Sequence, residues 1–451
     1  MRCNWCCRRG LSSTARVVDA YDGGTDDPKK SGGGGPVCRS ASLVVGTLTA
    51  DTRDTPIDHP GSLSSDQLQS YHEFRRRMLQ NPDTTYQDMI RCFCAVEDDE
   101  HAMCRYLRAR KFDVDATIEM MRDRSELWRD GASNNFYPEF RYAIGTASVP
   151  ESVFVSQLHL VLGNVTKTYC PVMYFSAGRV RADDLECLAD FDIIPNYVWH
   201  LIVHKLPKHI QHLMDTNHLK TIPIELLVVA NLDGISLNSL RRTLKALENA
   251  MRVLNVFPEV LSRVILINVP RYFMPFWPIV RSFVDNDTAQ KFELFASSER
   301  GKNRLLQLVD LHLLASDCGG AGTSTNQLIL EQCEQSAQGV RGRHEKILSC
   351  SRHGISTSAK ISVYVRAQEF VSIRVFARAS GRSAKLYVHV ESSGSTKRIQ
   401  LSRDVKDDTH PIFYTQVAGS SQGDMHCSIE IERGKGGGFV EHFLLVLDVR
   451  E

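Results

Sequence analysis

Long apolar runs are missing from this 451-residue chain. A helix that crosses a bilayer needs roughly 18 to 20 consecutive apolar residues, and the nearest approach, Ile222 to Leu232, falls well short. A surplus of one charge is missing too. Lysine plus arginine (54) almost cancels aspartate plus glutamate (53), leaving a formal +1, so the broad positive field of a nucleic-acid binder is excluded while local basic patches are not. Phosphate-cradling glycine loops are absent: there is no G-x-x-x-x-G-K-S/T and no G-x-G-x-x-G after a strand. The 13 cysteines are an odd number and, apart from Cys3, Cys6, Cys7 and the pair Cys92 and Cys94, are scattered, which argues against a disulfide framework. No apolar core of about 7 to 15 residues follows Met1, so a reducing, cytosolic compartment is expected.

What is present divides the chain. At about 150 residues per unit, the length suggests roughly three folded units. Residues 1–61 carry no sustained period, are rich in Gly, Ser, Asp and Thr, and read as a disordered tail. Cys3, Cys6 and Cys7 beside Arg8 and Arg9 suit S-acylation, half a metal site, or an incidental cluster, and Arg2 excludes myristoylation. Residues 64–135 form a helical unit: Ser64 and Ser65 precede Asp66 as cap candidates, and Leu68, Tyr71, Phe74 and Met78 recur at helical spacing.

Residues 140–320 are α/β in pattern. The short apolar runs Leu158 to Leu162, Val172 to Phe175, Glu225 to Leu232, Val264 to Val269 and Lys291 to Phe295 are separated by amphipathic stretches. One of these places Leu240, Leu244, Leu247, Met251 and Leu254 on a single stripe. The pattern predicts a mostly parallel sheet with covering helices. Residues 321–358 read as a polar linker. Over 359–451 the period becomes two, in Ile361, Val363, Val365, then Val371, Ile373, Val375, then Leu386, Val388, Val390, with turn signals at Ser380-Gly381 and Ser393-Gly394. This predicts an antiparallel β-sandwich.

Two constellations test for catalysis. His426-Cys427-x5-Arg433 has the outline of a cysteine phosphatase loop, but that cradle needs glycines and a strand-to-helix turn, whereas Ser428 to Glu432 alternate like a strand. His200 and His204 share a helical face as two zinc ligands would, but Leu201 stands where a zinc protease needs glutamate. His209, His212 and His218 are near, yet Pro207 interrupts the helix and no acidic ligand is suitably spaced. These histidines read as surface or lining residues, and no metal site is expected.

A series of ordered blocks then resembles a known family. Cys104 to Val114 (CRYLRARKFDV) with Trp128-Arg129 resembles the helical lead-in of the CRAL-TRIO lipid-binding and lipid-transfer family. Pro171-Val172 through Tyr174 to Gly178 is similar to its first strand block, and Asn231 to Ser236 to its D-x-x-G-x-S turn, with Asn231 in place of the aspartate. Phe257-Pro258-Glu259, Arg263 to Pro270, Phe283-Val284-Asp285, Lys291 and Cys318-Gly319-Gly320 complete the series. The resemblance covers about 64–320. The terminal sandwich looks like the Golgi-dynamics (GOLD) module that accompanies some members.

The resemblance implies an α/β lipid-binding domain that encloses one lipid in an apolar pocket under a hinged lid helix, with Phe273, Phe276, Trp277, Val280 and Phe283 as lid or cavity residues. In phosphatidylinositol-binding members the positions matching Arg110, Lys111, Glu259, Thr288 and Lys291 line the headgroup site. Two departures stand out: Val260 replaces an arginine common in those members, and Leu226 and Val228 fall where relatives place hydroxyls for phosphatidylcholine. The expectation is a non-enzymatic protein with a bound lipid and no other cofactor, transferring or presenting phosphatidylinositol. It would meet membrane surfaces transiently from the cytoplasm, at Golgi or endosomal membranes, with trafficking proteins as partners of the sandwich and no nucleic acid. The alternatives are another hydrophobic ligand such as a sterol, tocopherol or retinoid, a phosphatase using Cys427 and Arg433, and a trafficking scaffold.

Overall fold

A computed structural model describes residues 60–133, 151–188, 193–219 and 222–336, then 342–351, 360–366, 369–380, 385–392, 395–404, 412–418, 425–433 and 439–450. The expected tail lies outside these residues except for its last two, and Cys3, Cys6 and Cys7 lie outside with it. Among the described residues no helix is long and apolar enough to cross a membrane.

The lead-in is four helices: α1 Ser65–Gln80, α2 Thr85–Ile90, α3 Asp99–Arg108 and α4 Val114–Ser133. Ser64 starts α1 with a capping box, its Oγ accepting from Gln67 N at 3.3 Å while its own N–H donates to Gln67 Oε1 at 3.0 Å, a device whose loss costs about 1 kcal/mol. Tyr71, Phe74 and Met78 form its buried stripe, as their spacing predicts. Between α3 and α4 the chain turns through left-handed Lys111 (φ 54°) and Phe112 (φ 65°).

Five strands follow in spatial order β1-β2-β3-β4-β5: β1 Leu160–Val165, β2 Pro171–Ser176, β3 Leu226–Asn231, β4 Leu261–Ile267 and β5 Phe292–Leu294. β1 and β2 are an antiparallel hairpin, and the other three pairings are parallel. Parallel strands need crossovers. The β3 to β4 crossover is the helix Leu237–Leu254, which buries Leu240 and Met251 and packs Leu244, Leu247 and Leu254 against the core. The β2 to β3 crossover contains a helix from Ile193 to Asn217 that runs through Pro207 without interruption, contrary to expectation. Its turn Leu201–Lys205 widens to π geometry. A proline cannot donate to the preceding turn and its ring crowds that turn's carbonyl, and the wider turn accommodates both problems.

Two of the sequence blocks exist to let backbones meet. A Cβ on Gly178 would lie 1.6 Å from the carbonyl oxygen of Asp233, so the first strand block is seated directly on the turn at Asn231–Ser236. A Cβ on Gly320 would lie 1.9 Å from Leu314 O.

The C-terminal strands form two antiparallel sheets, ordered β10-β9-β13-β7 and β11-β12-β8-β14-β6. Their ranges are β6 Gly342–Ser351, β7 Lys360–Val365, β8 Phe370–Ser380, β9 Leu386–Ser392, β10 Ser395–Gln400, β11 Ser402–Asp404, β12 Ile412–Ala418, β13 Met425–Arg433 and β14 Phe439–Arg450. Val371, Ile373 and Val375, and likewise Leu386, Val388 and Val390, are buried, as alternation predicts. The expected linker 321–358 is structured over much of its length. It holds a helix, Thr325–Ser336, and β6, which pairs with β14. Ile329 is buried on the first domain, and Gln332 Nε2 donates to Leu162 O at 2.7 Å.

Candidate ligand-binding site

One cleft of about 50 Å³ is lined by Arg110, Arg124, Asn255, Glu259, Asp285, Asp287, Thr288 and Lys291 among others. Four of the five expected headgroup residues, Arg110, Glu259, Thr288 and Lys291, therefore share one site. Lys111 is exposed and is not part of the lining; it stands on the left-handed turn that separates it from Arg110.

Within the cleft, Lys291 Nζ donates to Glu259 Oε2 at 3.1 Å and to Leu261 O at 2.7 Å. Arg110 Nη1 donates to Ala109 O at 2.7 Å. Asp285 caps the turn Asn286–Ala289, its Oδ1 accepting from Thr288 N at 2.7 Å. Glu259 itself adopts φ 60°, a left-handed conformation that costs a non-glycine residue on the order of 1 kcal/mol.

That strained residue is held by its neighbours. Phe257 is buried with ring centroids of Trp199, Trp128 and Phe93 at 5.3, 5.9 and 6.1 Å. The carbonyl of Pro258 accepts from Arg105 Nη1 at 2.9 Å. Arg105 belongs to α3, is buried with Glu97 at 2.8 Å, and lies 5.2 Å from the rings of Phe93 and Tyr106. Burial opposes its charge, yet the Glu97 carboxylate outweighs burial and holds the guanidinium above its ordinary pKa. The basic lead-in of the sequence thus has divided duties: Arg105 ties α3 to the Glu259 loop, Arg108 pairs with Glu225 at 3.2 Å, and Arg110 faces the cleft.

Arg124 was not anticipated. The signal was available, because on α4 it falls in line with Met120, Met121 and Trp128, all buried, so a cation occupies the core-facing side of an amphipathic helix. Burial, and then the like charge of Arg110, lower its pKa to about 10.

The segment expected as a lid helix is broken into a tight turn, Arg271–Phe276, and a short helix, Trp277–Arg281, with Pro275 and Pro278 withholding N–H donors. Phe273, Trp277 and Val280 are buried in the core, Phe276 and Phe283 are half-buried, and Tyr272 (42%) and Ile279 (46%) are exposed. Leu226, Val228 and Val260 are buried and apolar.

A second cleft, about 420 Å³, lies at the carboxyl ends of β2 to β4 among Ser176, Arg179, Asn231, Asp233, Asn268, Ser298 and Asp317. Its groups hold one another. Asn231 Oδ1 accepts from Asp233 N at 3.0 Å and Asn268 Nδ2 at 2.9 Å, and its Nδ2 donates to Asp317 O at 3.4 Å. Aspartate could not make that last bond, which accounts for asparagine in this motif position.

His200 and His204 lie with ring centroids 5.4 Å apart. Burial lowers both, His200 to about 3, so they are neutral at neutral pH. Among the described residues no group of three or more His, Cys, Asp or Glu side chains could hold a metal ion. Cys427 and Arg433 stand six residues apart on the extended strand β13, about 20 Å at strand rise, too far for one phosphate cradle. A G-x-S-x-G string at Gly419 to Gly423 lies outside the described residues.

The comparison with protein families decides what this architecture is. A model of the CRAL/TRIO domain matches residues 156–320, and one of the CRAL/TRIO N-terminal domain matches 70–123. The chain carries a CRAL/TRIO domain with its N-terminal companion. Similar proteins include the SEC14 cytosolic factor of Yarrowia lipolytica, 26% identical over 279 residues, which are 60% of this chain and 51% of that one. Protein real-time of Anopheles gambiae is 23% identical over 50% of this chain and 32% of its own. The phosphatidylinositol/phosphatidylcholine transfer protein SFH12 of Arabidopsis thaliana is 26% identical over 50% of this chain and 40% of its own. The chain thus spans from about a third to about half of the length of these relatives. A solved structure, the crystal structure of Sfh5, is 14% identical with a TM-score of 0.40, covering 63% of this chain and 99% of that one.

Proposed function

We propose that the CRAL/TRIO unit binds a single phospholipid, phosphatidylinositol, and transfers or presents it between membranes. The reading is carried by one observation: Arg110, Glu259, Thr288 and Lys291, from three separate stretches of chain, line one cleft. Cationic donors and the Thr288 hydroxyl suit a phosphate, and Glu259 suits inositol hydroxyls. The similar Arabidopsis protein named as a phosphatidylinositol/phosphatidylcholine transfer protein points the same way.

Acyl chains need an apolar enclosure. Phe273, Trp277 and Val280 are sealed from solvent here, so admitting a lipid requires the segment 271–284 to swing outward, where Tyr272 and Ile279 already face solvent. Each methylene hidden is worth about 0.8 kcal/mol in bilayer or protein alike, so exchange between them is nearly balanced and reversible. Binding of this kind breaks no bond and calls on no cofactor. The sandwich is assigned as a GOLD-like module that contacts proteins or membrane at cytosolic surfaces of Golgi or endosomal membranes.

Solvent extraction of the purified protein and mass spectrometry should find one lipid per chain, with phosphatidylinositol lost in Lys291→Ala and in Glu259→Lys. Wild-type phosphatidylinositol occupancy in both variants would refute the headgroup assignment. A sterol, tocopherol or retinoid in the extract would instead establish the other hydrophobic-ligand reading.

A further inference from the structure

The polar groups of the candidate cleft are unequally committed. Lys291 is spent on Glu259 and Leu261 O, Arg110 places Nη1 on Ala109 O, and Asp285 takes the Thr288 N–H. Arg124 differs: its Nη1 is buried and has no hydrogen-bond partner. An unmatched buried donor is unfavourable, and more so when it carries charge. Its position compounds this, since it stands on the buried stripe of α4, between Met121 and Trp128, where an apolar residue would pack without penalty.

The surroundings indicate what would satisfy it. Arg110 and Arg124 line the same cleft, and the like charge of Arg110 disfavours that of Arg124. With its pKa brought down only to about 10, Arg124 remains a cation at neutral pH. Two guanidinium groups beside one small opening match an anion that offers two or more oxygens. The acids facing the cleft set an upper limit on its charge. Glu259, Asp285 and Asp287 balance Arg110, Arg124 and Lys291 one for one, so a singly charged phosphodiester fits the site better than a polyphosphate, as does the cleft's volume of about 50 Å³.

Resting on the lipid reading above, we propose that Arg124 is the anchor for the ligand's phosphodiester, donating to its oxygens together with Arg110, and that it sets the preference for singly charged phospholipids over neutral ligands. The same oxygens could come from a lipid headgroup or from free phosphate, and the experiment separates them.

Full-length wild type, Arg124→Met and Arg124→Lys are incubated with phosphatidylcholine vesicles containing either phosphatidylinositol or diacylglycerol, and lipid uptake and thermal melting are recorded. Inorganic phosphate is titrated calorimetrically in parallel. Losing one charge-assisted phosphate contact should lower phosphatidylinositol uptake by about tenfold or more in Arg124→Met. Partial recovery in Arg124→Lys, unchanged diacylglycerol uptake and a melting temperature no lower than wild type complete the expected result. Methionine suits the apolar stripe, so this variant keeps the helix packed. Phosphatidylinositol uptake by Arg124→Met within twofold of wild type overturns the proposal, as does an equal loss in both variants accompanied by a lower melting temperature. If wild type takes up no phosphatidylinositol, the lipid reading fails by itself. Saturable phosphate binding that Arg124→Met abolishes would then sustain the anion anchor, and its absence would remove it.

Discussion

At the scale of single residues, the pivot is Arg105. It does not face the cleft; it holds the carbonyl of Pro258 beside the left-handed Glu259, and its charge is matched by buried Glu97. Removing one member of such a pair strands the other charge, so Arg105→Met should destabilise the protein by about 3 to 5 kcal/mol. Pairing it with Glu97→Leu should restore much of that, which urea denaturation of the single and double variants will show. Residues of this kind separate what a sequence displays from what it hides. Arg110, Glu259 and Lys291 sit in recognisable strings, so their meeting was legible before any coordinates. Arg124 sits in the middle of an amphipathic helix, where one more arginine looks like one more solvated side chain. Only the phase of Met120, Met121 and Trp128 betrays it. Arg105 was legible as a cation but not in purpose, because nothing local to α3 reveals a carbonyl 153 positions away.

At the scale of elements, the helix from Ile193 to Asn217 shows how a rule about one residue can be right locally and wrong in outcome. Pro207 does perturb the backbone, and the perturbation is absorbed by the π turn Leu201–Lys205 just before it. His200, the residue just before that turn, carries a buried imidazole. Unfolded, His200 titrates near its ordinary 6.5; folded, burial and then the charge of Lys205 hold it at about 3. Between those values the unfolded chain binds a proton that the folded chain refuses, so stability falls as pH drops below 6.5 toward 3. At pH 5 this one ring accounts for on the order of 2 kcal/mol. His200→Phe should flatten the dependence of melting temperature on pH across that window, and an unaltered slope would mean the ring accepts its proton without unfolding. The helix Thr325–Ser336 was missed for a different reason. Its Asn, Gln and Glu content resembles a linker, and only Leu328 and Ile329 mark a buried side.

At the scale of the whole molecule, that missed helix packs on the CRAL/TRIO unit: Asp317 accepts from Thr325 N and Oγ1, and Gln332 reaches Leu162 O. A chain ending at Ser336 should melt cooperatively and take up lipid like the intact protein. One ending at Gly319, which lacks those contacts, should melt at lower temperature, and calorimetry with vesicle uptake will compare them. The broad architecture was readable because short apolar runs alternate with amphipathic stretches along 158–320 and a period of two holds along 360–450. The relation between the lead-in and the sheet was not, since it depends on Phe257 gathering Phe93, Trp128 and Trp199 from three other elements.

That gathering has a consequence for how the protein behaves when empty. The cleft takes two of its cations from the lead-in and its remaining charges from the sheet domain. An anion seated there is therefore a clasp across the seam between them, and by mass action a loaded molecule opens less often than an empty one. On the lipid reading proposed above, empty chains should open at the seam more often than loaded ones and be cut first by a protease, which limited proteolysis with and without phosphatidylinositol vesicles will show.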